Sequence, residues 1–280
     1  MLLNFIASPL HPAPPTEIFQ RVLWTLTFAA QLVLLVVLMG RDRARRYPWF
    51  TAGIVVYALQ LLVEELLSGR MAPLPLNEIL IALTNLETIV GLLVLVELAR
   101  RAFAGLQRSL WIVNAAGLLV VAGGLLTVWG PWPARKDIVL DSLLGKLRLL
   151  QLVSQKGELL VAMLTLGLGL LVVLLGRRYK APWRSHTQMI VIGLSTVSIS
   201  VLALQGSVQY IVKTVHPHSQ EEYQHILGVL TNMVNANKAV YLAALIWWIV
   251  WLWRDEPGSP AATDRTEDES AKAPSAEERM

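Results

Sequence analysis

The chain is 280 residues long, 55% hydrophobic and only 16% charged, with a mean hydropathy of +0.53. The polar minority is gathered between long apolar runs, which excludes a soluble enzyme, a nucleic-acid-binding domain and a disordered chain and leaves a polytopic helical membrane protein. The net charge of +4 is uneven: the last 27 residues hold eight acids against four bases, so the rest of the chain is near +8. Most of those bases fall in short loops between the apolar runs, where they act as topology signals and lipid-headgroup contacts. The chain has no cysteine, which removes disulfides, thiolate metal sites and cysteine nucleophiles.

A hydrocarbon layer about 30 Å thick calls for roughly 20 apolar residues in a helix. Residues 1–17 are Pro-rich and lack a basic leader, so they are expected to form an extracytoplasmic N-terminus and not a cleaved signal. Seven spans follow, at 18–39, 49–67, 79–99, 110–128, 159–175, 189–212 and 226–253. The first loop carries Arg41, Arg43, Arg45 and Arg46, the third Arg100, Arg101 and Arg108, and the fifth Arg177, Arg178, Lys180 and Arg184, against the single acid Asp42. By the positive-inside rule these three loops are cytoplasmic, which puts the N-terminus outside and the C-terminus inside. Residues 134–154 mix leucines with Asp137, Asp141, Lys146 and Arg148, a pattern expected of an amphipathic helix on the outer surface that runs into the fifth span. The seventh span is longer than a bilayer requires and is expected to tilt or project. Residues 254–280, acidic and rich in Pro and Ala, are expected to be a disordered cytoplasmic tail. The predicted fold is therefore all-α: one seven-transmembrane-helix bundle over residues 18–253, multi-pass in a bacterial cytoplasmic membrane.

Three segments carry a resemblance. Arg45-Arg46-Tyr47-Pro48-Trp49-Phe50 opens the second span, Glu97-Leu98-Ala99-Arg100-Arg101 closes the third, and YLAALIWWIVWL runs from Tyr241 to Leu252 in the last. Together they resemble an uncharacterised family of bacterial seven-helix integral membrane proteins over about residues 18–253. That family lends a fold and a location and no activity. The architecture is also similar to the seven-helix sensory modules that precede histidine kinases. Here no kinase domain follows, so a signalling role implies a separate cytoplasmic or membrane partner.

Polar groups inside a membrane are costly and face the bundle interior, so they mark the candidate site. The first span carries Gln20, Trp24, Thr27 and Gln31, and the second Tyr57, Gln60 and Glu64. The third carries Asn77, Thr84, Glu87 and Gly91, the fifth Gln151, Gln155 and Glu158, and the sixth Ser198, Gln205 and Gln209. The seventh carries Thr231, Asn232, Asn235 and Lys238, whereas the fourth has only Asn114 and small residues and is expected to be peripheral or tightly packed. Measured from the assigned outer ends, Glu87 and Lys238 converge in the outer half of the bilayer, where Lys238 takes Glu87, or failing that Glu158, as its carboxylate partner. The expectation is an outward-facing polar pocket for a small molecule, with Lys238 favouring an anionic or zwitterionic one. An ion or proton path and a purely structural network are the competing readings.

No cofactor is expected. Retinal as a Schiff base on Lys238, with Glu87 as counter-ion, is set aside because Val234 stands where microbial rhodopsins usually carry an Asp, and the sixth span lacks an aromatic and proline clamp. His218, Glu222 and His225 share a face if a helix starts near His218 and form a weak metal candidate beside the plainer reading of a polar cap. No His and Asp pair lies within the spans to activate a serine or a water, so no catalytic residue is assigned. Function is expected to be receptor-like or sensory, acting through a partner; the alternative is transport of an ion or small solute through the bundle, with a scaffold role behind both.

Overall fold

The computed structural model describes residues 15–67, 70–103, 108–128, 143–178, 185–215 and 219–255. Among them it has eight helices: α1 (Pro15–Gly40), the single turn α2 (Arg43–Arg46), α3 (Pro48–Leu67), α4 (Pro73–Ala102), α5 (Arg108–Val128), α6 (Leu143–Arg178), α7 (His186–Thr214) and α8 (Gln220–Trp253). Six of these, all but α2 and α5, are long and apolar enough to cross a membrane. α5 has 21 residues, of which Gly117–Leu126 form its apolar stretch among the described residues.

The chain punctuates these helices by ordinary means. Proline occupies the first position of α1, α3 and α4, where its missing N–H would be unsatisfied in any case. Ser185 and Ser219 cap α7 and α8, their hydroxyls accepting from the N–H groups of Gln188 and Glu222. Arg100 and Arg101 in the last turn of α4, and Lys213 in that of α7, face the negative ends of the helix dipoles. Between α1 and α3 the backbone reverses through Asp42, which adopts a left-handed conformation with φ of 54° that a short polar side chain tolerates. Within the apolar helices, hydroxyls are satisfied locally: Thr27 donates to the Leu23 carbonyl, Thr88 to Thr84, and Thr165 to Val161.

Six helices close into a ring. α1 packs on α3, α3 on α4, α4 on α6, α6 on α7, α7 on α8, and α8 back on α1, while a narrower α4–α7 contact crosses the middle. α5 lies outside this ring, chiefly against α6, and turns Leu119, Val120, Val121 and Leu125 outward. The fourth expected segment, read as peripheral or tightly packed for its lack of polar residues, is the peripheral helix α5. Leu34, Leu38, Leu98, Ile190, Leu245, Trp248 and Leu252 are almost wholly buried and form the centre of the core toward one end. Close approach there depends on Gly193: a Cβ at that position would strike the Trp248 indole. At the α4–α6 crossing, a Cβ on Gly157 would meet the Thr88 methyl at 2.5 Å.

The outward faces are as apolar as lipid demands, with Val36, Met39, Ile89, Leu170, Leu174 and Ile199 all more than half exposed. Helices stand at all seven expected segments. The expected amphipathic stretch is, from residue 143 onward, the first turns of α6 and not a separate element. Its earlier part, the N-terminus before residue 15 and the tail beyond residue 255 lie outside the described residues.

Candidate functional site

The ring surrounds a cavity of about 390 Å³. α3 contributes Phe50, Gly53, Ile54, Tyr57 and Gln60; α4 contributes Glu87, Thr88, Gly91, Val94 and Leu95. From α6 come Glu158, Val161, Ala162 and Thr165, from α7 Leu194, Val197, Ser198 and Val201, and from α8 Asn237, Tyr241 and Trp248. Depth follows from a rise of about 1.5 Å per residue. Gln60 stands twelve residues from the start of α3, Glu87 fifteen from the end of α4 and Asn237 sixteen from the end of α8. These are distances of roughly 18, 22 and 24 Å from the Arg-rich end. Phe50 and Trp248 lie only about 3 and 8 Å from that end on the same scale. The chamber is therefore polar in its upper part and apolar and aromatic at its floor.

Its polar wall is rich in acceptors. Gln60 donates to Thr84 Oγ1 at 3.5 Å, and its carboxamide oxygen is buried without a partner. The Asn237 carboxamide oxygen is likewise buried and unsatisfied, as is the indole N–H of Trp248 at the floor. Behind the wall Gln31, fully buried on α1, donates to the Tyr241 hydroxyl at 3.3 Å, so α1 supports a residue that lines the chamber. The Tyr241 and Tyr57 rings meet at 4.8 Å across the space between α3 and α8. Glu87 and Glu158 sit on the packed helices α4 and α6 and face the same space. Among the described residues no lysine, arginine or histidine lines it.

Below the floor the Arg-rich end is bound together by polar contacts. Glu97, 8% exposed, accepts from the backbone N–H groups of Trp49 and Phe50 at 3.1 and 3.2 Å, and Arg101 lies 3.5 Å from its other oxygen. Those N–H groups are among the unpaired donors at the start of α3, so the carboxylate caps α3 from α4. Arg101 also stacks over the Tyr47 ring at 5.0 Å. The buried Tyr47 hydroxyl is 2.9 Å from Thr187 Oγ1, and His186 Nε2 is 3.1 Å from the Arg254 carbonyl. Arg41 pairs with Asp255 at 3.1 Å, and Trp247 Nε1 donates to the Met189 carbonyl. We refer to this set as the clasp. Phe50 belongs to both regions: its ring meets Trp248 edge-on at 5.2 Å in the chamber floor while its N–H is held by Glu97.

The expected site residues divide. Gln60, Glu87 and Glu158 line the chamber and Gln31 stands behind it, whereas Asn235 is buried on α8 outside the lining, its carboxamide oxygen unpartnered. Gln205 and Gln209 are half-buried on α7 above the lining, while Glu64 and Asn232 are exposed. Lys238 is exposed too, and it makes no ion pair among the described residues. It does not meet Glu87 or Glu158 in the chamber. The reason is rotation: the inward seam of α8 runs Asn237, Tyr241, Ala244, Leu245, Trp248 and Leu252, and one residue turns a helix by about 100°. The sign of the chamber changes with it, from the cationic anchor expected to an acidic one. At roughly 22 Å above Trp253, the Lys238 stem can reach the opposite headgroup layer.

At the far end, Glu222 and His225 are exposed in the first turns of α8, and His218 lies outside the described residues. Among the described residues no group of three acids or histidines is gathered for a metal. Sequence reasoning missed Asn237, Phe50 and Trp248. The usable signal was the small and aromatic stripe Asn237-Tyr241-Ala244-Trp248, at steps of four, three and four, which is the spacing of one helix face.

The clasp also gives a physical basis to the three quoted motif segments, since Tyr47–Phe50, Glu97–Arg101 and Tyr241–Leu252 meet there and at the floor above it. No protein-family model, curated protein or solved structure matches the chain.

Proposed function

We propose that the protein is a receptor-like sensory membrane protein with seven transmembrane helices, its Arg-rich end in the cytoplasm. A small solute in the chamber is read out as a change in the clasp, which a separate partner recognises. The observation that carries this is the double role of Phe50: its ring lines the chamber floor against Trp248, and its backbone is held by Glu97 in the clasp. A solute pressing on the floor has to displace the group that fixes the start of α3. Glu97 in turn is tied to Arg101, and Arg101 to Tyr47, so the displacement reaches the Arg-rich surface within a few contacts. α5 supplies the seventh span, as a peripheral helix against α6.

A test of the coupling requires no known ligand. Ser198→Phe places a ring into the chamber from α7. Because the chain has no native cysteine, a pair of spin labels can be placed in the double variant Arg100→Cys, Arg254→Cys. In nanodiscs the filled variant should shift the distance between labels by a few ångströms or broaden its distribution, whereas an unchanged distribution would sink the coupling.

A second reading is favoured by Glu87 and Glu158, two acidic side chains that line the same cavity inside the bundle. Solute uptake into proteoliposomes that follows an imposed gradient, and is lost in Glu87→Gln, would favour a transporter over a receptor.

A further inference from the structure

We infer that the chamber is a site for an amphipathic organic ammonium ion, with the charged head between Glu87 and Glu158 and the apolar body on the Phe50–Trp248 floor. This rests on reading the chamber as a binding site and adds to that reading the chemistry of what it takes. Charge comes first: two carboxyl groups line the space, no basic side chain does, and neither carboxyl has a hydrogen-bond or ion-pair partner among the described residues. Hydrogen bonding points the same way. The buried oxygens of Gln60 and Asn237, at the depth of Glu87, lack donors, and an ammonium supplies three. Aromatic faces at Tyr57 and Tyr241 border that level and add cation–π attraction.

The floor is different in kind. Ile54, Val94, Leu95 and Leu194 line the chamber near Phe50 and Trp248, so the lower chamber suits a hydrocarbon or aromatic body. An inorganic cation fits worse. A bare divalent ion needs about six oxygens converging on a point, and here the acceptors are dispersed over four helices above an apolar pit that a hydrated ion would not fill. The volume, about 390 Å³, falls at the small end of the roughly 300–1,000 Å³ usual for small-molecule sites.

Three probes with a common body separate the alternatives: 4-phenylbutylammonium, the neutral 4-phenyl-1-butanol and the anionic 4-phenylbutanoate. Binding is measured by equilibrium dialysis against the full chain in nanodiscs, with empty nanodiscs subtracted. The cation should bind saturably, the alcohol about tenfold or more weaker, and the anion weakest. Glu87→Gln and Glu158→Gln should each weaken the cation about tenfold, whereas Lys238→Met and Glu64→Gln should leave it unchanged. If the carboxyl variants fail to fold, Val197→Phe, which fills the chamber between its floor and its polar wall, should abolish binding while melting normally. Equal binding of alcohol and cation, both lost in Val197→Phe, would overturn the ammonium assignment and leave the chamber intact as a site. No binding of any probe, together with an unmoved clasp in Ser198→Phe, would overturn both.

Discussion

Glu97 offers the sharpest perturbation, because a single carboxylate joins α4 to the start of α3. In Glu97→Ala the Trp49 N–H, on a residue 44% exposed, can turn to water or headgroups, so its loss costs about 0.5 kcal/mol. The Phe50 N–H cannot, since Phe50 is 2% exposed, and an orphaned buried donor costs about 1–3 kcal/mol. The Arg101 pair is partly exposed and adds at most about 1 kcal/mol. The expected destabilisation is about 2–4 kcal/mol. Glu97→Gln keeps an acceptor oxygen and loses only charge assistance and the ion pair, so it should cost about half as much.

Reversible unfolding in mixed detergent–SDS micelles, followed by tryptophan fluorescence, measures the difference. An alanine variant within about 0.5 kcal/mol of wild type would show that the two N–H groups do not need Glu97. A Gln variant as damaged as Ala would show that charge, and not the acceptor, is what α3 requires. The first result removes the clasp as a structural unit; the second keeps Glu97 as its tie but makes that tie electrostatic and refutes the hydrogen-bond account.

Other outcomes follow from the same geometry. Gly193→Ala forces a methyl into the Trp248 indole and should destabilise by about 1–3 kcal/mol in the same assay, with a blue-shifted or broadened tryptophan emission as Trp248 moves. Asn85 Nδ2 donates to Ser154 Oγ at 2.7 Å between α4 and α6, and a double-mutant cycle with Asn85→Leu and Ser154→Ala should return a coupling of about 0.6 kcal/mol. Lys238→Met should leave stability within about 0.5 kcal/mol, since the exposed amine holds no partner among the described residues. For orientation, Glu221→Cys should react with a membrane-impermeant maleimide in intact cells and Arg100→Cys only after lysis; the reverse pattern would invert the protein.

The lengths of the helices show what hydropathy can resolve. At the Arg-rich end the expected and observed boundaries nearly coincide, 49 against Pro48 and 253 against Trp253, because tryptophan and arginine mark the interface there. At the other end α3 stops at Leu67 as expected, but other long helices run further: α8 begins at Gln220 and not at 226, and α6 at Leu143 and not at 159. Gln220–His225 and the first turns of α6 are polar or amphipathic, and a helix continues through such residues toward the aqueous layer. An apolar run reports where lipid stops, not where the hydrogen-bonded backbone does. The site was legible to the same degree. Gln60, Glu87 and Gly91 follow helical spacing and do face one chamber, but the stripe Thr231, Asn235 and Lys238 on α8 does not, with Asn235 buried outside the lining and Lys238 exposed. Rotation of a helix is set by its most bulky buried stripe, and on α8 that stripe contains Trp248 and Tyr241.

The clasp was invisible for another reason. Tyr47, Glu97, Thr187, His186 and Arg254 are far apart in the chain, and each alone looks like an interfacial residue. Only closure of the ring, which brings α1 against α8, carries Arg41 to Asp255 and Tyr47 to Thr187. This also locates where motion is cheap. The chamber is bordered by unpaired carboxamides and carboxyls that can adjust to an occupant, while the clasp holds paired groups that have two states, made or broken. A solute that binds only when the clasp is loosened shifts that balance by its preference for the loosened form and by nothing more. Breaking the clasp by Glu97→Ala should therefore tighten chamber binding of such a solute, whereas a solute indifferent to the clasp would bind the variant and the wild type alike.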